Sequence, residues 1–385
     1  MSVSTHQEPI AFPTWPSLTE DDIAAVNAVL RSSRLSQLSS DAVPSFETAL
    51  AAFVGVEHAV AVNSGTAALH TALAALQIVP GDEVLVPSHT FIGSASPIVH
   101  RGATPVFVDV DERTFCLEPE SVRNSITSRT RAIIAVHLNG AAAPLDDIGA
   151  IAERHGIPVV EDVAQAIGGA YHGRVLGSIG ALGAFSFWED KIITTGGEGG
   201  AVVTHDPTLA DRMRRFRHHG ESRPPGARVY ASTEVGHNYR LTAPQAALGT
   251  SQLGRIESFL HDRRSNARAL DAALCTVDGL QTPLESAGTR HAYWKYVCRV
   301  PGSDEATIDR ITTQLQAQGV PAFRRYPVPL HRQPAFVRMG LPTDQCPVAD
   351  RLAGELFSLP VHPLITRSHI GFMAEKIAKV VAACL

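Results

Sequence analysis

Residues 157–165 read Ile157-Pro158-Val159-Val160-Glu161-Asp162-Val163-Ala164-Gln165. A short, nearly unbroken apolar run suits a strand covered on both faces, as in a parallel sheet packed between helices. Two carboxylates and an amide at the end of such a run are costly to bury without partners. Successive strand residues point to opposite faces, so only one of Glu161 and Asp162 is expected to face a common site. The structural alternative is a cap for the helix that follows.

Similar runs recur at His58–Val62, Glu83–Pro87, Thr104–Val110, Arg131–His137, Ala181–Phe187 and Ala201–Thr204, with helix-like stretches between them. Leu69, Leu73 and Leu76 share one helical face, as do Ile148 and Ile151 ahead of a stop at Gly156. This alternation predicts a doubly wound α/β layer structure. Before it, Glu20–Arg31 reads as a helix with Thr19 and Asp22 as its capping box. After it, Leu253, Ile256, Leu260, Ala267, Leu270 and Leu274 follow a 3-and-4 spacing that predicts one long helix. A strand over Tyr293–Val300, a helix over Glu305–Gln318 and helical stretches around Val348–Phe357 and Phe372–Ala383 come next. The expected division is a large domain over residues 1–252 and a smaller α+β domain over 253–385.

The 385 residues are 44% hydrophobic and 18% charged, a globular composition, and the net charge of −5 argues against electrostatically driven nucleic-acid binding. The basic run Arg212, Arg214, Arg215, Arg217 reads as a solvated helix face, with local phosphate binding as its alternative. Cys116, Cys275, Cys298, Cys346 and Cys384 are scattered, odd in number and in no CxxC pattern, which disfavours a disulfide framework and a zinc site. No metal is expected. The first nine residues lack a signal pattern, and no apolar run reaches the ~18 residues of a membrane helix. A soluble, cytoplasmic enzyme is expected.

Ligands of open α/β sheets sit beyond the carboxyl ends of the strands. Asn63-Ser64-Gly65-Thr66 follows the first strand and opens a helix, where backbone N–H groups can meet an anion; simple N-capping is the competing reading. Pro87-Ser88-His89-Thr90-Phe91 follows the second and offers a flat aromatic, either for a ligand or for the core. Phe185-Ser186-Phe187-Trp188-Glu189-Asp190-Lys191 ends another strand on a lysine, ahead of Gly196-Gly197-Glu198-Gly199-Gly200. Of 33 basic residues four are lysine, and Lys191 alone precedes residue 295. Neither a phosphate-binding Gly-Lys-Ser/Thr loop nor a G-x-G-x-x-G after the first strand is present, which disfavours a nicotinamide dinucleotide. An anion site, an aromatic, a buried carboxylate and a lone lysine at strand ends match the needs of pyridoxal phosphate: phosphate, ring face, pyridine nitrogen and aldehyde.

At this point the chain resembles the DegT/DnrJ/EryC1/StrS family of pyridoxal-phosphate aminotransferases acting on sugars and cyclitols. The resemblance rests on Ser64-Gly65-Thr66-Ala67-Ala68-Leu69, Gly81–Pro87, Phe107–Val110, Glu161–Gln165, Gly177–Gly180, Phe185-Ser186-Phe187, Lys191, Gly236–Thr242, Tyr326–His331, Cys346–Ala349 and Leu359–Pro363. It implies a fold-type-I transferase with a mostly parallel seven-stranded central sheet, working as a homodimer with shared active sites. It further implies that Lys191 binds the cofactor covalently and carries protons, that Asp162 pairs with the pyridinium nitrogen, and that Gln165 contacts the ring hydroxyl. Phe91 would stack on the ring; Gly65, Thr66 and Ser186 would hold the phosphate, joined by Asn238 of a partner subunit. Tyr326 and His331 would approach the substrate. Arg240 or the 212–217 arginines would meet a diphosphate or a donor carboxylate, unless they serve structural ion pairs.

A branch of the family that dehydrates its sugar carries histidine at the position of Lys191, so lysine implies transamination from glutamate or glutamine to a ring ketone. A nucleotide-linked keto-deoxysugar is the expected acceptor. A keto-cyclitol of the scyllo-inosose type, or an amino-hydroxybenzoate synthase reaction, is the alternative, and a non-catalytic regulatory homologue is disfavoured because the lysine and carboxylate are both kept. Asn139-Gly140 departs from the family, which commonly carries an aromatic before this glycine.

Overall fold

The computed structural model describes residues 10–222 and 231–385; the first nine, read above as free of a signal pattern, lie outside the described residues. The seven apolar runs form one sheet. Its strands are β1 (His58–Val62), β2 (Glu83–Pro87), β3 (Thr104–Val108), β4 (Thr130–Val136), β5 (Val159–Asp162), β6 (Leu182–Ser186) and β7 (Gly200–Thr204). They lie in the order β1-β7-β6-β5-β4-β2-β3. Only β7 runs against its neighbours; the other pairs are parallel. The carboxyl ends of β1, β2, β4, β5 and β6 therefore open on one edge, and the β6–β7 connection carrying Lys191 turns back over it.

Both faces are covered, so the central strands are buried along their length. The helix Gly65–Ala75 packs across β6 and β7 and buries even His70 and Thr71. The helix Leu145–His155 stops at Gly156 in the left-handed conformation (φ 64°), which glycine adopts without a Cβ penalty. The capping box of the helix Glu20–Ser32 is formed by Thr19 and Asp22. Asp22 also accepts from Ser251 (2.6 Å) and Gln252 (2.9 Å) and pairs with Arg255, which ties this helix to the middle of the chain.

A second buried cluster forms around the strands Tyr296–Arg299, Phe323–Arg324 and Leu356–Leu359, with the helices Ile256–Leu274, Glu305–Ala317 and Arg367–Cys384 against them. Packing crosses position 252/253 both ways: Ile10 and Phe12 lie on this cluster, and Ile256, Phe259 and Leu260 belong to the first.

Four expectations need correction. The single long helix is two, Ala243–Leu253 and Ile256–Leu274, broken at Gly254. The stretch Val348–Phe357 is helical only over Pro347–Leu352, because Leu356 and Phe357 start a strand paired on both sides; pairing outweighs local periodicity there. The strand over Tyr293–Val300 shortens to Tyr296–Arg299, since Tyr293 has φ 49° and cannot extend it. The basic run is also not wholly solvated. Arg214 is exposed, but Arg217 is buried against Glu47 and the Ala61 carbonyl.

Candidate active site

A cavity of about 620 Å³ opens at the carboxyl edge of the sheet, within the range of small-molecule sites. Its walls include Gly65, Thr66, Phe91, Asp162, Gln165, Ser186, Lys191 and Tyr326. Eight positions chosen from sequence thus meet in one place, although 261 residues separate the first from the last (Gly65 to Tyr326).

Asp162 and Glu161 part company as strand geometry requires. Glu161 turns inward and is saturated, accepting from His137 Nε2 (3.0 Å) and from the amides of Gly177 (2.7 Å), Ile179 (2.7 Å) and Gly180 (2.6 Å). Burial pushes its pKa up, yet His137 and the amides outweigh burial and hold the carboxyl below its ordinary value. Asp162 faces the cavity, 4% exposed, and accepts from Ser94 Oγ (2.7 Å) and the Ala164 amide (3.1 Å). Burial raises its pKa against the pull of Ser94, Ala164 and Lys191.

Lys191 is buried with its Nζ 3.9 Å from the centre of the Trp294 ring. Burial lowers its pKa to about 7; Asp162 pulls upward and Arg325 pushes further down. Two indoles fix the lysine's backbone. Trp15 Nε1 donates to the Lys191 carbonyl and Trp294 Nε1 to the Asp190 carbonyl, each at 2.7 Å.

At the end of β1, Ser64 caps the helix Gly65–Ala75 through the Ala67 amide (3.1 Å), leaving the first amides of the helix without intrahelical acceptors. A Cβ on Gly65 would stand 2.7 Å from Ser186 Cβ, and one on Gly93 3.0 Å from Thr66 Oγ1. Only glycines let these walls close around so small a space. Phe91 is 59% exposed although it lines the cavity, so an apolar surface of this wall stays open to a flat partner. Gln165 Nε2 donates to Tyr326 Oη (2.7 Å), and its Oε1 accepts from the Asn139 amide (2.8 Å).

The other candidates lie elsewhere. His331 is buried beneath the site, bound to Ser88 Oγ (2.5 Å) and Asp350 (3.1 Å), and does not line the cavity. Arg240 bonds His218 Nδ1 (2.6 Å) and bridges β1 at Val62. Arg212 donates to the Ala75 carbonyl and Arg215 pairs with Asp211 and Glu234. Asn238 is exposed, opposite His218 and outside this cavity. Asn139 touches the site only through its backbone; its side-chain N and O have no partner among the described residues, and its φ of 56° suits asparagine better than an aromatic.

Sequence reading missed Ser94, Trp294, Arg325 and Trp15. Ser94 stands three residues past Phe91 and carried a signal only as a polar group in an apolar stretch; the rest reach the site from other parts of the chain. Among the described residues no group of His, Cys, Asp or Glu has a metal-holding arrangement, and no helix is long and apolar enough to cross a membrane.

The sequence profile of the DegT/DnrJ/EryC1/StrS aminotransferase family matches residues 16–378. The chain is 41% identical to a GDP-perosamine synthase of Caulobacter vibrioides, over 84% of this chain and 86% of that protein. It is 38% identical to an L-glutamine:2-deoxy-scyllo-inosose aminotransferase of Streptomyces kanamyceticus, over 84% and 79%. Its fold superposes on a crystal structure of an aminotransferase from Psychrobacter cryohalolentis with a TM-score of 0.90, at 38% identity and covering 97% of this chain and 99% of that one.

Proposed function

The chain belongs to the DegT/DnrJ/EryC1/StrS aminotransferase family, and we propose that it holds pyridoxal 5′-phosphate in the strand-end cavity and moves an amino group from glutamate or glutamine to the ring ketone of a nucleotide-linked keto-deoxysugar. The enzyme class is that of the family, a pyridoxal-phosphate-dependent transaminase. The observation that carries the reading is the convergence of Lys191 and Asp162, one buried amine and one buried carboxylate, in a cavity with a glycine-lined helix N-terminus.

The residues present fit the cofactor. Gly65, Thr66 and Ser186 would hold its phosphate at the helix N-terminus, where amides and helix dipole favour an anion. Phe91 would cover a ring face, and Gln165 would reach the ring hydroxyl. The exposed Asn238 would complete the phosphate site of a partner subunit in a homodimer. When bound, pyridoxal phosphate supplies a carbonyl that condenses with amines and a ring that takes up the electron pair of a broken Cα–H bond.

The chain's own residues manage the protons. Lys191, with a pKa of about 7, is partly uncharged near neutrality, so Nζ can take the donor's Cα proton and would pass it to the cofactor's C4′ carbon. The Trp294 face steadies the ammonium that forms in between. Asp162, oriented by Ser94, holds a proton at the ring nitrogen. Both Lys191 and Asp162 are shielded from bulk water, which strengthens their mutual field.

The sugar acceptor is favoured by the likeness to the perosamine synthase, and the cyclitol reading is kept by the comparable likeness to the scyllo-inosose enzyme. The test is the visible spectrum of the purified protein with pyridoxal phosphate, before and after L-glutamate and then L-glutamine. A yellow band that bleaches with one of them supports the reading and identifies the donor; a nucleotide keto-sugar or scyllo-inosose then distinguishes the acceptors. No band with added cofactor would sink it, as would full turnover by K191A.

A further inference from the structure

Of the arginines that sequence reading offered to an anionic substrate group, Arg212, Arg215, Arg217 and Arg240 are occupied by the protein itself, and the exposed Arg214 does not line the cavity. Arg325 is placed differently. It lines the cavity beside Lys191 and has no carboxylate partner among the described residues. Its Nε and Nη2 are sealed from water without any hydrogen-bond acceptor. An unpartnered buried donor is costly, and more so when it is charged, so a small turn of this guanidinium toward an anion in the cavity would relieve it. Nε and Nη2 form the side-on edge of the guanidinium, whose two parallel N–H bonds match the two oxygens of a carboxylate.

Position selects the carboxylate. Arg325 Cζ lies 4.8 Å and Lys191 Nζ 3.9 Å from the centre of the same Trp294 ring. A cation sharing one indole with the proton-carrying amine is near the carbon that loses its proton. The α-carboxylate of an amino-acid donor is one bond from that carbon, whereas the diphosphate of a nucleotide sugar is several bonds from the ketone. We propose that Arg325 is the residue that binds the α-carboxylate of the amino donor, with Trp294 as the platform that holds it beside Lys191. The proposal rests on the transamination reading above. It explains why the arginine is stacked rather than paired, since a resident carboxylate would block the donor.

The test uses the full-length, cofactor-loaded protein and follows bleaching of its visible band. The wild type should prefer L-glutamine tenfold or more over L-glutaminol, which differs from it only in carrying CH₂OH for the α-carboxylate, a comparison that needs no variant. R325Q should raise the half-saturating donor concentration at least tenfold, with a smaller change in limiting rate, and change the half-saturating concentration of L-glutaminol far less; R325K, with the charge but no fork, should fall between. Calorimetric binding of GDP and UDP should be the same in wild type and R325Q. Unchanged donor saturation in R325Q would overturn the assignment, as would an equal loss for L-glutaminol. So would weakened GDP or UDP binding with donor saturation intact, which would assign the arginine to a phosphate. A normal band in the variant locates such a failure at Arg325; a wild type that forms no band overturns the cofactor reading and this assignment with it.

Discussion

Ser94 donates its hydroxyl to Asp162 Oδ2 at 2.7 Å, from a turn that begins with the cavity-lining Phe91. The bond works against burial, the largest influence on Asp162, and favours the ionised carboxylate. S94A should therefore move the acid limb of the pH–rate profile to higher pH and reduce the donor half-reaction by about tenfold, the factor that ~1.4 kcal/mol of lost stabilisation produces. Rapid-scan absorbance at several pH values checks it. A profile identical to wild type would remove Ser94 from the mechanism.

Lys191 titrates near neutrality because burial outweighs the attraction of Asp162. Capture of pyridoxal phosphate by the cofactor-free protein needs the uncharged amine, so its rate should rise with pH and level off above about 7 rather than above the ordinary 10.5. The neighbours give the sign of two shifts. D162N removes a group that raises this pKa and should move the inflection down; R325Q removes one that lowers it and should move it up. Stopped-flow absorbance gives all three curves, and an inflection above pH 9 in the wild type would contradict the burial argument.

The sheet was legible in the sequence because strands buried on both faces are written as short, mostly apolar runs, several of them rich in Val and Ile, and the seven runs correspond to the seven strands. Residues just after those strands were legible as a site for the same reason, since topology alone brings strand ends together. Trp294 and Arg325 were not, because they arrive from elements some hundred residues later whose packing over the sheet edge no local pattern encodes. The family resemblance implied Asp162 for the site, but the strand pattern alone left open the choice between Glu161 and Asp162. Alternation says that they diverge, but only the turn at Gly177–Gly180 shows which one finds amides.

Glu161 anchors that turn, and its loss should be a stability effect. In E161Q one acceptor oxygen becomes an NH₂ facing backbone N–H groups, with an expected cost of roughly 1–3 kcal/mol. Its carboxyl is held below the ordinary 4.5 in the folded protein. The stabilisation is therefore present above the unfolded value and is lost as pH falls through the lower, folded one. Thermal melts between pH 3 and 7 should show the gap between wild type and E161Q narrowing at the acid end; a constant gap would refute the linkage.

His89 is the opposite case. It is fully buried against Tyr326 and Phe115, both ring nitrogens lack a partner among the described residues, and burial drives its pKa down to about 3. Phenylalanine keeps a flat ring, somewhat larger than imidazole, and has no polar atoms to leave unsatisfied. H89F should gain about 1 kcal/mol or more in stability, read as a higher Tm of the cofactor-free protein. A lower Tm would mean that the imidazole has a partner, such as a buried water, worth more than its desolvation.

Gly65 separates the demands of the fold from those of the cofactor. A methyl group there would stand 2.7 Å from Ser186 Cβ and 3.0 Å from its Oγ, so the helix N-terminus and the strand end must move apart. Alanine is otherwise the better helix former, by about 1 kcal/mol, which offsets part of the strain. G65A should thus keep the fold, with a Tm within a few degrees of wild type before cofactor is added. What it should lose is the phosphate: a tenfold or larger rise in the dissociation constant for pyridoxal 5′-phosphate, against little change for pyridoxal, which has no phosphate. Fluorescence titration of both compounds decides it. Equal losses for the two would mean that the methyl group disturbs the ring site instead, and unchanged affinity for both would remove the Gly65 turn from cofactor binding.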